Sequence, residues 1–173
     1  ASSSGDRIMF LSEPRSKAPD WCHKFWTEDL LLETILQLAG NSPLKSATVN
    51  TCCWELSVVN TEISNNKGYG INSFKSDIDE LDGVIIKDNA NSGIRLAGSG
   101  ESHKIGSIKN SLFENNGRTG HNSALYLDVD SSLGDVSDTK FISNYGSSGG
   151  AISVNNRGDS RISASIGNFT NVL

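Results

Sequence analysis

The sequence predicts an all-β fold, a right-handed parallel β-helix (β-solenoid) of about five coils with an N-terminal capping α-helix. Three features predict it: an apolar residue that returns in nearly constant register, an asparagine three positions after it, and a glycine-bearing turn that leads into an alternating segment. The stretch "FISNYGSSGGAISV", residues 141–154, contains all three. A chain that repeats such a unit builds a solenoid, because no unit can bury its apolar face without a neighbour.

The repeated unit keeps its register through most of the chain. Successive units lie 23, 27 and 28 residues apart, and a further step of 28 residues reaches Phe169. Since like residues of stacked coils lie about 4.8 Å apart, we expect two internal ladders. The apolar ladder consists of Ile63, Ile86, Phe113, Phe141 and Phe169, and the corner ladder consists of Asn66, Asn89, Asn116 and Asn144. An antiparallel β-sandwich also has short alternating strands, but it predicts no fixed register, and it is the alternative fold.

The N-terminal part lacks the repeat, so we divide the chain into a cap segment, residues 1–56, and the solenoid repeats, residues 57–173. "TEDLLLETILQLAG" places Thr27 as an N-cap, acidic residues in the first turn and Gly40 as a stop. These signals predict an amphipathic helix over about 28–39 that covers one open end of the solenoid and prevents edge-to-edge growth. No cap is visible after the last repeat, so we expect the repeats to be part of a longer solenoid.

Composition narrows the classes of partner. The net charge of −5 disfavours nucleic acid, because no basic face is available to displace counterions from phosphates. No apolar run approaches the length of a spanning helix, so we expect no direct membrane span.

Zinc-spaced Cys/His sets, phosphate loops and nucleophile elbows are absent, and we predict no cofactor, no metal and no catalytic residue.

The cysteines leave two readings open. Cys22, Cys52 and Cys53 are odd in number, so they cannot all pair within the chain. Adjacent residues of a strand point to opposite faces, so at most one of Cys52 and Cys53 easily reaches Cys22. A disulfide from Cys22 and three ordinary thiols are the two alternatives.

Two acidic segments are candidates for calcium binding. "SDIDELD" begins at Ser76 and "DVDSSLGD" begins at Asp128, and neither has the spacing of an EF-hand loop. We expect ordinary loop carboxylates, and a Ca²⁺-stabilised structural solenoid is the third and weakest hypothesis.

The pairing of Phe-x-x-Asn with Gly-Gly-Ala-Ile is carried by Phe141, Asn144 and residues 149–152. It resembles the repeat of the polymorphic outer-membrane protein family of chlamydial autotransporters. Phe113 and Asn116 match the first element only, so the resemblance covers one and a half repeats. It implies a pectin-lyase-like β-helix at the cell surface or outside the cell, used as a passenger domain in adhesion. Similar repeats occur in other secreted β-helical proteins.

Outward positions of the repeats form a candidate ligand-binding patch. If Leu125 and Leu127 face inward, Tyr126 and Asp128 face outward, and Arg95 neighbours Tyr126 in the adjacent coil. This patch therefore combines a guanidinium, a phenol and a carboxylate, groups that can bind sugars, at Arg95, Tyr126 and Asp128. The alternative is a solvated face with a cross-coil contact between Arg95 and Tyr126. Enzymes of this fold act mainly on polysaccharides, and they need two carboxylates, or calcium ligands with a basic residue.

A second outward face is apolar. Ile85, Leu112 and Ile142 are predicted to point outward and to stack in adjacent coils, beside an opposite-charge pair of Lys87 and Glu114. Exposed apolar residues at neighbouring positions indicate cover by another part of the chain or by a partner. We therefore treat these three residues as partner-contact candidates.

Together these features favour a non-enzymatic extracellular or cell-surface β-solenoid that acts in adhesion or as a structural unit of an extracellular assembly. Its expected partners are a protein, a surface polysaccharide, and further coils or an oligomer at the C-terminal end of the stack. A carbohydrate-active enzyme of the pectin-lyase-like type, either a polysaccharide lyase or a glycoside hydrolase, is the alternative.

Overall fold

The computed structural model describes residues 44–45, 49–52, 56–74, 76–97, 103–118, 123–128, 130–155 and 165–173. Every regular element in these ranges is a β-strand, and none of the described residues is helical. The strands are β1 (Leu44–Lys45), β2 (Val49–Cys52), β3 (Leu56–Val59), β4 (Glu62–Ser64), β5 (Ile71–Phe74), β6 (Ile78–Asp82), β7 (Ile85–Lys87), β8 (Ile94–Ala97), β9 (His103–Lys109), β10 (Leu112–Glu114), β11 (Leu125–Leu127), β12 (Ser131–Ser137), β13 (Lys140–Ile142), β14 (Ile152–Val154) and β15 (Phe169–Thr170).

The strands form three parallel sheets of five strands each, and every third strand returns to the same sheet. Sheet A contains β1, β4, β7, β10 and β13; sheet B contains β2, β5, β8, β11 and β14; sheet C contains β3, β6, β9, β12 and β15. The chain thus visits the three sheets in turn and then stacks on its own previous coil. The predicted all-β parallel solenoid is confirmed. The alternative sandwich is wrong, because the strand pairs of the described residues run parallel.

The interior is lined by apolar columns from all three sheets. Alternation along each short strand sends every second side chain inward, and parallel pairing places like residues above like. Phe113 lies in register between Ile86 and Phe141, and its ring stacks on that of Phe141 with 5.0 Å between the ring centroids. Each fully buried side chain of this size contributes about 1.5–3 kcal/mol. The buried columns contain Ile63, Ile86 and Phe113; Ile71, Ile94 and Leu125; Leu96 and Leu127; Ile78, Ile105 and Leu133; and Val58, Leu81, Ile108 and Val136.

Both short corners of the coil use the left-handed backbone region. The corner from sheet C to sheet A begins with a residue at positive φ, such as Asn110 at 49° and Asp138 at 48°. The corner from sheet A to sheet B does the same, for example at Asn115 with φ 55°. Asn and Asp tolerate this region better than other non-glycine residues. The recurring Asn and Asp residues therefore fix where the chain turns.

A polar ladder runs along the corner between sheets A and B. The Nδ2 atoms of Asn66, Asn89 and Asn116 donate to the Oδ1 atoms of Asn89, Asn116 and Asn144 at 2.7, 2.9 and 3.0 Å respectively. Backbone carbonyls of the preceding coil accept a further hydrogen bond from the Nδ2 atoms of Asn89, Asn116 and Asn144. The bond from Asn116 to the carbonyl of Ile86 is 2.8 Å long. The fully buried side chains of Asn89 and Asn116 are thus hydrogen-bonded at both amide atoms, which offsets the cost of placing them in the interior.

Sheet C contains a column of glycines. Gly106, Gly134 and Gly167 stack on one another next to the backbone of Asp79. A Cβ atom on Gly134 would overlap the carbonyl oxygen of Gly106, and one on Gly167 would lie 2.7 Å from the carbonyl carbon of Gly134. The coils approach so closely here that side chains are excluded.

The prediction that Phe169 continues the apolar ladder is wrong. Phe169 pairs with Val136 in sheet C, and its side chain is 46% exposed. The register step to this last coil is 33 residues instead of 28. The additional residues lie between β14 and β15, so a step of 28 residues from Phe141 ends five positions short of the next ladder site.

The stacking expected for Ile142 is also wrong. Leu112 pairs with Ile85 on one side and with Lys140 on the other, whereas Ile142 pairs with Glu114. Ile142 lies two residues further along its strand, on the same face but in the neighbouring column. The expected Lys87 and Glu114 do lie side by side, while the ion pair of Lys87 is formed with Glu62 at 3.1 Å.

Several N-terminal predictions lie outside the described residues. They concern the helix over about 28–39 and the residues Cys22 and Cys53. Strand pairing begins upstream of residue 57, because β1 pairs with β4 and β2 pairs with β5. Within the described ranges, no helix has the length and apolar character needed to cross a membrane.

Candidate functional site

The outward face of sheet B carries a column of polar side chains. Asn72, Arg95, Tyr126 and Ser153 occupy the same register position in four successive strands. Their neighbours along each strand point inward, since Ile94, Leu96, Leu125 and Leu127 are fully buried. The period of the strands therefore places these four side chains along the solenoid axis, one per coil.

Arg95 is the centre of this column. Its Nη2 atom lies 3.5 Å from Oδ2 of Asp128, and its Nη1 atom donates to Oδ1 of Asn72 at 3.3 Å. The guanidinium also lies over the ring of Tyr69, with 5.6 Å from Cζ to the ring centroid. A planar guanidinium suits this combination of hydrogen bonding and stacking. Arg95 thereby connects three successive coils.

Asp128 lies just after β11 and is 4% exposed although it belongs to the outward face. Its Oδ1 atom accepts a hydrogen bond from Nδ2 of Asn155 at 3.2 Å. The same Nδ2 atom donates to the phenol oxygen of Tyr126 at 2.9 Å. Asn155 therefore ties Tyr126 to Asp128, and the phenol O–H of Tyr126 can still donate outward.

The sequence-predicted residues Arg95, Tyr126 and Asp128 are thus brought together in one cross-coil network. We call this set, with Tyr69, Asn72 and Asn155, the sheet B network. Tyr69 and Asn72 are missing from the sequence prediction. The register contains the signal for Asn72, which lies below Arg95 in the same column. Tyr69 lies before β5 and outside any strand, so the alternation of strand residues does not predict the direction of its side chain.

The sheet B network contains one carboxylate, that of Asp128, and this carboxylate is engaged by Arg95 and Asn155. Glycoside hydrolysis uses a pair of carboxyl groups about 5 to 9.5 Å apart. Among the described residues, no group of three His, Cys, Asp or Glu side chains could hold a metal ion. Phe74 adds an exposed ring at the end of β5, in register with Ala97.

The outward face of sheet A contains the three partner-contact candidates. Ile85 and Ile142 are exposed, and Leu112 is half-buried. Ile85 and Leu112 are direct neighbours across the sheet, with charged residues on the adjacent column. The three side chains therefore share one face without forming a single row.

The acidic segments have protein partners. Asp77 is buried and accepts the backbone N–H of Lys104 at 3.0 Å, and Asp82 accepts from Nδ2 of Asn110 at 2.8 Å. The Nζ atom of Lys109 lies 2.8 Å from Oε1 of Glu80. This hydrogen bond, together with the charge of Glu80, raises the pKa of Lys109 above its ordinary value of 10.5.

Because these carboxylates are bonded to amides and an ammonium group, we expect no stabilisation by calcium. The melting temperature of the protein should be the same in excess chelator and in millimolar CaCl₂, as measured by differential scanning calorimetry. Magnesium chloride at equal ionic strength is the control. A rise in melting temperature that is specific to calcium would support the calcium-stabilised hypothesis instead.

The chain matches no protein-family profile, no curated protein and no solved structure.

Proposed function

We propose that this protein is a non-enzymatic extracellular or cell-surface β-solenoid that acts in adhesion or as a structural unit of an extracellular assembly. In this proposal the solenoid is right-handed, as nearly all parallel crossovers are, and has about five coils. The resemblance of its Phe-x-x-Asn and Gly-Gly-Ala-Ile elements to chlamydial autotransporter repeats, and to pectin-lyase-like β-helices generally, supports a surface location.

The observation that carries the proposal is the sheet B network. Its groups are spaced by one coil along the axis and are fixed by cross-coil bonds to Asn72, Asp128 and Asn155. A rigid row of aromatic, amide and charged groups binds an extended polar ligand without much loss of side-chain entropy. We propose a surface polysaccharide as this ligand, with Tyr126 donating a hydrogen bond and the exposed ring of Phe74 providing a stacking surface.

The test is a glycan array followed by calorimetric titration of the best saccharide with the intact protein. Tyr126→Ala should weaken binding about tenfold or more, since aromatic anchors at the centre of a binding site carry much of its energy. Tyr126→Phe should produce a smaller loss, because it removes only the phenol group. Lys109→Ala, on the outward face of sheet C, is the matched control and should leave binding unchanged.

Two results would contradict the proposal. Equal affinity of the Tyr126→Ala and Lys109→Ala proteins would mean that the saccharide binds elsewhere. Cleavage of a saccharide by the unmodified protein, lost in Asp128→Asn, would favour the carbohydrate-active enzyme.

A further inference from the structure

The sequence contains a single Asn-Gly pair, Asn116–Gly117, and its asparagine belongs to the polar ladder between sheets A and B. Asparagine is a thermolabile residue, and a following glycine has no side chain to obstruct attack by its own backbone nitrogen. This pair is therefore the one most prone to spontaneous deamidation. The other ladder asparagines precede residues with side chains, in the pairs Asn66–Lys67, Asn89–Ala90 and Asn144–Tyr145.

The corner geometry requires both residues of this pair. The Nδ2 atom of Asn116 donates to the carbonyl of Ile86 at 2.8 Å and to Oδ1 of Asn144 at 3.0 Å. Gly117 has φ 85°, a backbone conformation that residues with a Cβ atom rarely adopt. A different residue at either position would lose the ladder bonds or strain the turn. The reactive pair is therefore a consequence of the fold.

The folded corner keeps the two reacting groups apart from each other and from water. Deamidation needs the backbone nitrogen of Gly117 to lose its proton and to approach Cγ of Asn116. That N–H instead donates to the carbonyls of Asn89 and Asn91 at 3.1 and 2.8 Å. Gly117 is buried, and Asn116 has no exposed surface at all. The reaction would have to break these bonds and admit water, so the native corner protects the pair.

We propose that Asn116 is a modification site that becomes reactive only on unfolding, and that its deamidation makes unfolding of this protein irreversible. In the unfolded chain the deprotonated nitrogen of Gly117 attacks Cγ of Asn116. The new N–Cγ bond forms, the Cγ–Nδ2 bond breaks, and ammonia leaves with the proton. Water then opens the resulting succinimide to an aspartate or an isoaspartate at position 116. The net reaction consumes one water, releases one ammonia and needs no other reactant.

The product does not fit the ladder. An oxygen in place of Nδ2 at position 116 faces the carbonyl of Ile86 and Oδ1 of Asn144, which are both acceptors. A flip of the Asn144 amide gives no relief, since its Nδ2 atom already donates to the carbonyl of Phe113 at 2.8 Å. A buried carboxylate in this place carries a large desolvation cost. Isoaspartate also adds one carbon to the main chain, so the corner cannot be rebuilt in register.

The first test compares deamidation in the folded and the unfolded protein at slightly alkaline pH. Peptide mapping by mass spectrometry measures conversion at each ladder asparagine, in buffer and in guanidinium chloride. Asn116 should be converted at least about a hundredfold faster in denaturant, because a native protein spends only a small fraction of its time unfolded. In denaturant Asn116 should also be converted before Asn89 and Asn144, which serve as internal controls in the same sample.

The second test follows refolding. Samples are removed from denaturant at increasing times and diluted, and circular dichroism measures the fraction that regains the native state. This fraction should equal the fraction of chains with unmodified Asn116. An equal time in mildly acidic denaturant is the control, because there the attacking nitrogen keeps its proton and refolding should stay complete.

A directly prepared variant isolates the effect of the product. Asn116→Asp should unfold at a lower urea concentration than Asn116→Ala, because alanine removes the same hydrogen bonds without adding a buried charge. An Asn116→Asp chain that does not fold at all agrees with the inference, and the timed refolding experiment then decides independently.

The inference is overturned if Asn116 deamidates as fast in the folded protein as in the unfolded one, or if another ladder asparagine is converted first in denaturant. It is also overturned if chains modified at position 116 refold with the urea midpoint of the unmodified protein. Equal loss of refolding in acidic denaturant would assign irreversibility to another process, such as aggregation, and would contradict it too. None of these measurements uses a saccharide, so their outcome is independent of the proposed function.

Discussion

Replacement of Asn116 by alanine is expected to lower the free energy of unfolding by about 3 kcal/mol, because several buried partners lose their hydrogen bonds at once. The Oδ1 atom of Asn116 accepts from the backbone N–H and the Nδ2 atom of Asn89. Its Nδ2 atom donates to the carbonyl of Ile86 and to Oδ1 of Asn144. Water cannot replace these bonds easily, since Asn116 and Asn89 are both fully buried. Urea denaturation followed by far-UV circular dichroism measures the loss.

The matched control is Asn115→Gly, at the adjacent position. Asn115 has φ 55° and its side chain bonds to Asp88 at 3.3 Å in a partly exposed place. Glycine adopts this backbone region without steric cost, so the free energy of unfolding should change by less than about 0.5 kcal/mol. If Asn116→Ala were as mild as Asn115→Gly, the asparagine ladder would not hold the coils together.

Gly134→Ala is expected to destabilise the protein by about 3 kcal/mol or more, because the added methyl group forces two coils apart. The new Cβ atom would overlap the carbonyl of Gly106 and would lie 3.2 Å from that of Ile105. Both obstacles are backbone atoms in paired strands, so no side chain can rotate away to make room. Thermal unfolding is the measurement that checks this. The melting temperature of the Gly134→Ala protein should lie well below that of the unmodified protein.

Ser137→Ala tests whether the effect belongs to the close approach and not to strand β12 as a whole. Ser137 is a partly exposed residue of the same strand, so its replacement should change stability by less than about 0.5 kcal/mol. Similar melting temperatures for Gly134→Ala and Ser137→Ala would show that sheet C does not have the tight glycine column.

The sequence predicts the parallel solenoid because its register repeats. Phe113, Phe141 and their asparagines recur at nearly equal spacing, and equal spacing has a simple physical cause in stacked coils. The spacing gives the column of a residue only while the loops keep their length. The longer connection between β14 and β15 shifts Phe169 to the column of Val136, and nothing in the loop composition marks that change.

The candidate site could likewise be predicted only for residues that occupy regular strand positions. Alternation along strands brings Arg95 next to Tyr126, because both positions follow from the period of the repeat. The contact of Arg95 with Tyr69 could not be predicted, since a long guanidinium side chain has many rotamers and Tyr69 lies outside a strand. The glycine column in sheet C likewise depends on how closely two backbones approach, which side-chain patterning does not encode.

The most direct test of the parallel solenoid is a set of cross-strand nuclear Overhauser contacts between backbone amide and α protons in the labelled protein. The structure predicts that Leu112 contacts residues near Ile85 and near Lys140, and that Tyr126 contacts residues near Arg95 and near Ser153. An antiparallel pattern of contacts between strands that are consecutive in the chain, such as β10 and β11, would contradict the parallel solenoid. It would favour the antiparallel sandwich instead.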